Sequence, residues 1–305
     1  MATFAHHGRT VVYDHAGDGP PIVLLHNAGA SRRIWDGQFA ELRRAHEVFA
    51  LDLPGYGESQ RPATGYRLVD YVRMLDAFLT AHRLTDAVLV GNCLGSAISL
   101  SYAITHPTRM PRALVLVNPL TWNTVYRGKQ APLAWLSAKL PLAPLAQRLA
   151  LPDAVAGLIV ANQLGARGRA AKLQDSTVLK GPWGDTGRLG ALDRLVQDFP
   201  AFRALDAFTP GPGFAPICTI WGAQNRILSA AAGAALDAAT LHPHTSVVLE
   251  DCGHLPMLED PVAVTTTIND FLARLPAASE SAQVEAVSTL VDLGVWRENA
   301  REPDH

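Results

Sequence analysis

Runs of three to five consecutive apolar residues recur along the chain, and between them apolar residues return every three or four positions. The short runs predict buried β-strands, and the helical spacing predicts amphipathic helices. Alternation of the two predicts an α/β fold with a mostly parallel, twisted sheet and helices on both faces. The predicted strands are 10–13, 21–25, 48–51, 87–90, 113–117, 217–221 and 247–249, and the predicted helices are 34–45, 68–79, 96–106, 229–241 and 260–275.

One long stretch, between the strands at 113–117 and 217–221, breaks this alternation. Ten prolines divide it into short pieces, which predicts an inserted helical cap rather than further strands. Beyond the last helix, Val284, Val287 and Val291 lie at helical spacing, so a short helix there packs on its own domain or forms a dimer contact. The predicted units are a core of residues 1–117 and 217–275, a cap of residues 118–216 and a helical extension of residues 276–305.

Composition narrows the classes of function. The 305 residues are 48% hydrophobic and 18% charged, with a net charge of −2 and no basic cluster, so we expect neither nucleic acid nor an anionic membrane as partner. No window approaches the ~18 apolar residues of a membrane span, and residues 1–9 lack the apolar region of a signal peptide, so we expect a cytoplasmic protein. Three cysteines make a disulfide framework improbable, and no phosphate-binding glycine loop or metal-ligand cluster predicts a cofactor or metal.

The pentapeptide Gly91-Asn92-Cys93-Leu94-Gly95 lies between a predicted strand and a predicted helix. A nucleophile held on such a sharp turn needs small residues two positions before and after it, and Gly91 and Gly95 provide them. The following helix directs its free N–H groups at the sulfur, which predicts that the pKa of Cys93 is lowered and that the thiol is reactive.

Three further segments accompany this turn: His26-Asn27-Ala28-Gly29 after one strand, Asp52-Leu53-Pro54-Gly55-Tyr56-Gly57-Glu58-Ser59 after the next, and Gly253-His254-Leu255-Pro256 near the end. Residues 10–275 therefore resemble the α/β-hydrolase superfamily, in the branch that includes epoxide hydrolases, haloalkane dehalogenases, cofactor-free haloperoxidases and meta-cleavage-product hydrolases. The resemblance implies a nucleophile at Cys93, where the family usually has serine, and a general base at His254.

The third catalytic position departs from the family. The segment Trp221-Gly222-Ala223-Gln224-Asn225 carries an amide where the family has an aspartate, and the other loop that supplies an acid reads Asn118-Pro119. In one interpretation the enzyme is inactive, because an Asp-to-Asn change in a serine triad can cost about 10⁴ in rate. In the other, which we favour, a thiol needs less help than a hydroxyl, and Asn225 orients His254 in a Cys-His-Asn triad.

The resemblance also implies an oxyanion hole made by the backbone N–H of Leu94 and that of Asn27 or Ala28. We expect His26, Asn92, Trp122 and Trp135 to contact substrate, the two tryptophans from an apolar cap. The predicted function is acyl transfer through an S-acyl cysteine on an ester, thioester or lactone with an apolar acyl part, free or carrier-bound. The acceptor is water or another nucleophile. The alternative is a small-molecule binding protein that has kept the pocket with impaired chemistry.

Overall fold

The computed structural model describes residues 1–128, 131, 132, 136, 139 and 148–275. In this part of the chain, eight strands form one sheet in the order β1-β2-β4-β3-β5-β6-β7-β8. β2 is antiparallel to β1 and β4, and the remaining neighbours are parallel. The strands are β1 Ala2–His6, β2 Arg9–Ala16, β3 Pro21–Leu25, β4 Glu47–Leu51, β5 Val88–Asn92, β6 Ala113–Val117, β7 Ile217–Gly222 and β8 Thr245–Leu249.

Helices follow most of the parallel strands. They are α1 Asp36–Leu42, α2 Leu68–Ala81, α3 Leu94–Thr105, α4 Trp122–Tyr126, α5 Asp153–Gln163, α6 Ala166–Ala170, α7 Thr177–Lys180, α8 Arg188–Gln197, α9 Arg203–Ala207, α10 Ala230–Leu236, α11 Pro256–Glu259 and α12 Pro261–Ala273. The predicted α/β fold is confirmed.

The sheet is buried on both faces. In β3, Val23 and Leu25 belong to one apolar cluster, whereas Ile22 and Leu24 belong to another. Successive side chains of a strand point to opposite faces, so these are the two sides of the sheet. Each side is covered by helices, which is why the central strands read as continuous apolar runs.

Sequence and structure differ mainly at element ends. Strand β1 was not predicted, because Ala2–His6 shows an alternation of half-buried and exposed residues at the sheet edge rather than an apolar run. The predicted helix 34–45 is a 3₁₀ turn followed by the shorter helix α1. The predicted helix 229–241 ends in a π-helical turn at Asp237–Leu241.

The insertion between β6 and β7 contains α4 to α9 and no strand among its described residues. Its division into units remains a prediction, and the C-terminal extension, 276–305, lies outside the described residues. Within the described part of the chain, no helix is both long enough and apolar enough to cross a bilayer.

Candidate active site

Cys93 lies on a strained turn between β5 and α3. Its φ of 52° and ψ of −107° fall in a region that a residue with a side chain rarely adopts. The flanking glycines are required sterically, since a Cβ at Gly91 would overlap the Gly95 carbonyl and a Cβ at Gly95 would overlap the Leu25 carbonyl. The turn therefore presents the Cys93 side chain at the carboxyl end of the sheet, where ligands bind in open α/β sheets.

The backbone N–H groups of Leu94 and Ala28 are placed to stabilise negative charge on the sulfur of Cys93. These are the donors that an oxyanion beside Cys93 would meet. The other candidate for the second donor was Asn27, whose side-chain Nδ2 binds the Ala28 carbonyl at 3.1 Å. Of these two residues, it is Ala28 whose backbone N–H stabilises negative charge on the sulfur.

The expected acidic thiol is not what the structure shows. Burial raises the pKa of Cys93 to about 12, and the two N–H donors only partly offset that rise. Burial also lowers the pKa of His254 to about 3. At neutral pH the site therefore holds a neutral thiol and a neutral imidazole. The prediction from the helix N-terminus was wrong because desolvation of the charged sulfur outweighs the favourable dipole.

This pair of pKa values predicts slow alkylation. Only the thiolate reacts with iodoacetamide, so labelling of Cys93 should be very slow at pH 7 and rise about tenfold per pH unit between pH 7 and 10. Peptide mapping by mass spectrometry would follow Cys93 separately from the buried Cys218 and Cys252. Fast, pH-independent labelling of Cys93 near pH 7 would instead show that the site holds a thiolate–imidazolium pair.

The Glu259 carboxylate accepts hydrogen bonds from the backbone of the loop that carries His254. One carboxylate oxygen, Oε1, accepts the N–H groups of Gly253 and Leu255 at 2.8 and 3.2 Å, and Oε2 accepts that of Gly165 at 2.6 Å. The His254 N–H itself donates to the Gln163 carbonyl at 2.6 Å. The histidine backbone is therefore bonded to the end of α5, in the insertion.

Asn225 does not form the predicted bond to the histidine. Its Oδ1 accepts the N–H groups of Ile227 and Leu228 at 2.9 and 3.0 Å, as an Asx turn does. The buried Nδ2 of Asn225 and Nδ1 of His254 both lack a hydrogen-bond partner. The orienting contact of a triad is thus not formed in this structure, and the role of Asn225 stays a prediction.

Two other asparagines support the histidine loop. Asn118 Nδ2 donates to the His254 carbonyl at 3.2 Å, and its Oδ1 accepts the Gly222 N–H at 3.0 Å. Asn92 Nδ2 donates to the same His254 carbonyl at 3.3 Å. Asn118 therefore connects β6, β7 and the loop that carries His254. We predicted that Asn92 contacts substrate, but its amide nitrogen binds the protein backbone.

His26 also has a structural environment. It is fully buried, with Nδ1 bonded to the Asn27 carbonyl at 2.7 Å and Nε2 accepting the Leu53 N–H at 2.9 Å. Burial lowers its pKa to about 4, so the ring is neutral and both nitrogens are occupied. His26 thus fixes the loop after β3, residues 26–30, which we call the oxyanion loop, to the loop after β4. Neither ring nitrogen is available to the substrate that we predicted His26 to contact.

Asp52, directly after β4, binds Arg32, which follows the oxyanion loop. Asp52, fully buried, accepts the backbone N–H of Arg32 at 2.7 Å through Oδ1, and its Oδ2 pairs with the Arg32 guanidinium. The guanidinium also contacts Asp14 and Glu58, each at 2.7 Å. A Cβ at Gly57 would overlap the Asp52 carboxylate, which explains the glycine.

The two tryptophans predicted to contact substrate have different outcomes. Trp122, half-buried in α4, stacks on Tyr126 with ring centroids 3.9 Å apart, and the Arg203 guanidinium lies 3.9 Å from its ring. Trp135 lies outside the described residues.

Sequence reasoning missed Trp183, which is buried and would lie 3.0 Å from a Cβ at Gly29 of the oxyanion loop. It also missed Glu259 and Arg188, because a charged residue in a helix ordinarily predicts an exposed position.

No three His, Cys, Asp or Glu side chains within the described ranges are grouped to hold a metal ion.

Comparison with known proteins identifies relatives of this chain. An uncharacterized protein of Mycobacterium tuberculosis is 25% identical over 296 residues, which cover 92% of this chain and 84% of that protein. A haloalkane dehalogenase of Mesorhizobium japonicum is 31% identical over 150 residues, 48% of each chain. The (E)-2-((N-methylformamido)methylene)succinate hydrolase of Acinetobacter baylyi is 31% identical over 123 residues, 40% of this chain and 44% of that enzyme.

Solved structures show the same fold. An α/β hydrolase fold protein from Burkholderia ambifaria superposes with a TM-score of 0.74 at 22% identity, covering 88% of this chain and 97% of that one. A thermophilic esterase from Thermogutta terrifontis also gives a TM-score of 0.74, at 20% identity, covering 90% and 97%. The sequence profile of the α/β hydrolase fold family matches residues 20–261. The chain therefore belongs to the α/β-hydrolase fold family.

Proposed function

We propose that the protein is an acyl-transfer enzyme that works through an S-acyl intermediate on Cys93. The observation that carries this proposal is the strained conformation of Cys93 between β5 and α3, where the backbone N–H groups of Leu94 and Ala28 can stabilise negative charge beside its sulfur. Such strain is retained where function requires it, and paired N–H donors stabilise an oxyanion.

Because the Cys93 thiol and the His254 imidazole are both neutral, the proton leaves the thiol during the attack and not before it. As the sulfur attacks an ester, thioester or lactone carbonyl, the S–H proton passes to His254, which acts as general base. The carbonyl oxygen becomes an oxyanion held by Leu94 and Ala28. Collapse of this intermediate breaks the bond to the leaving group, which takes the proton from His254. Water or another nucleophile then cleaves the thioester.

The substrate is a small molecule with an apolar acyl part. Cys93 belongs to the same apolar cluster as Leu195, Phe199 and Phe202 of the insertion, so apolar side chains of the insertion pack on the same side of the sheet as the proposed nucleophile. An apolar wall excludes water and binds apolar substrate atoms. The acyl group arrives free or on a carrier.

A second candidate is a binding protein with impaired chemistry. The unpartnered Nδ1 of His254 favours it, since a catalytic histidine normally donates that N–H to an orienting acceptor.

Intact-protein mass spectrometry with a panel of acyl thioesters and 4-nitrophenyl esters, two to ten carbons long, separates the two candidates. The enzyme should gain one acyl mass, and kcat/KM should rise along the series by up to about fourfold per buried methylene before levelling off. Decay of the adduct in water indicates hydrolysis, and persistence until an acceptor is added indicates transfer. Saturable binding of these compounds with no mass gain would favour the binding protein, and a flat series would contradict an apolar subsite.

A further inference from the structure

Arg188, the first residue of α8, is a buried cation in the insertion. Its side chain is 1% exposed, and its Nη1 donates to the carbonyl of Gly29 at 2.7 Å. A second, longer bond joins Nη1 to the Ala30 carbonyl at 3.3 Å. Arg188 therefore contacts the oxyanion loop one residue after Ala28.

The other edge of this guanidinium makes no hydrogen bond, although its Nε and Nη2 are both buried. Nη2 forms only a long ion pair, at 3.9 Å, with Asp185, which is half exposed and binds Arg61 at 2.7 Å. The buried Asp52 carboxylate is bonded to Arg32. Burying an arginine without a full counter-ion is costly, so this edge of Arg188 favours a further anionic partner.

The two free nitrogens specify the shape of that partner. Nε and Nη2 lie on the same edge of a guanidinium, and their N–H bonds run parallel, which matches the two oxygens of one carboxylate. The Tyr56 ring lies beside the cation, with its centroid 5.9 Å from the guanidinium carbon, and its buried hydroxyl lies next to that of Tyr71. The Tyr56 hydroxyl is also close enough to interact electrostatically with both Arg188 and Cys93.

We propose that Arg188 recognises a carboxylate on the substrate, bound through Nε and Nη2 with Tyr56 beside it. The inference rests on the proposed function and names its substrate class: acids whose reactive carbonyl is separated from a carboxylate by a short apolar chain. Because Arg188 belongs to the insertion and binds the oxyanion loop, the carboxylate sits where the insertion meets the core.

Matched esters test this directly. The 4-nitrophenyl monoesters of succinic, glutaric and adipic acid carry a carboxylate, and the corresponding methyl ketones are neutral and similar in shape. The wild type should prefer at least one acid over its ketone, and Arg188→Met should lower that ratio of kcat/KM about 100-fold, the worth of two charge-assisted hydrogen bonds. Arg188→Lys, which keeps the charge but loses the parallel pair, should lower it about tenfold.

Arg194→Met is the matched control. It lies on the same helix, and its guanidinium carbon is also 5.9 Å from a tyrosine ring, that of Tyr66. The acid-to-ketone ratio of this variant should equal that of the wild type. A wild type with no preference for any acid, or an unchanged ratio in Arg188→Met, would overturn the inference.

A binding experiment separates failure of this inference from failure of the proposed chemistry. Calorimetric titration of Cys93→Ala with glutarate, succinate and adipate needs no turnover, and at least one acid should bind, whereas the matched diamide should not. Binding should be lost in Cys93→Ala with Arg188→Met. If no ester is turned over but an acid binds through Arg188, the carboxylate site stands and the acyl-transfer proposal falls. If the Arg188 variants do not fold, equal binding of acid and diamide to Cys93→Ala overturns the site.

Discussion

Replacement of Cys93 by alanine is expected to abolish acylation and turnover, because it removes the proposed nucleophile beside the N–H groups of Leu94 and Ala28. Loss of a nucleophile that acts with its base typically costs a factor of about 10⁶ in kcat. The measurement is the adduct mass of the intact protein together with the steady-state rate. Retention of an equal mass gain in Cys93→Ala would move the nucleophile elsewhere.

Cys93→Ser gives a finer test of the same site. A serine hydroxyl is much less acidic than a thiol and depends more on an oriented base, which His254 with its unpartnered Nδ1 does not provide. The single variant should be folded but very weakly active. Adding Asn225→Asp should restore part of the activity, since a carboxylate at this position can accept the Nδ1–H. Wild-type activity in Cys93→Ser would contradict the link between the thiol and the amide.

Asp52→Ala is expected to lower the free energy of unfolding by about 3–5 kcal/mol, because it leaves the buried Arg32 cation without its main partner. It also removes the acceptor for the backbone N–H groups of Arg32 and Glu58. Urea unfolding of the wild type and the variant measures the difference.

Asp14→Ala is the control for this change. Asp14 pairs with the same guanidinium at 2.7 Å, but its side chain is 20% exposed, so its removal should cost about 1 kcal/mol or less. Equal losses in the two variants would show that the buried carboxylate has no special role in holding the oxyanion loop.

Much of the fold could be predicted from the sequence because the sheet is buried on both faces. A strand such as Ala113–Val117, with five buried residues, can only read as a continuous apolar run. The turn at Cys93 could also be predicted from the sequence. A side chain in place of Gly91 or Gly95 would overlap backbone atoms, so any sequence that forms this turn needs glycine there.

The electrostatics of the site could not be predicted in the same way. A helix N-terminus beside Cys93 is visible in the sequence, but the depth of burial that raises its pKa is set by residues far apart in the chain. Arg188 shows the same limit: its charge predicts exposure, and only the packing of the insertion on the oxyanion loop buries it. The bonds of Asn225 to its own turn were likewise hidden, because an amide at that position fits either an orienting role or an Asx turn.

The Glu259 carboxylate couples the insertion to the position of the histidine. The Gly165 N–H donates to Glu259, and the Gln163 carbonyl, at the end of α5, accepts the N–H of His254. A displacement of α5 must therefore either break these bonds or carry the backbone of His254 with it. Substitutions in α5 can thus shift the proposed general base without changing any residue of the sheet.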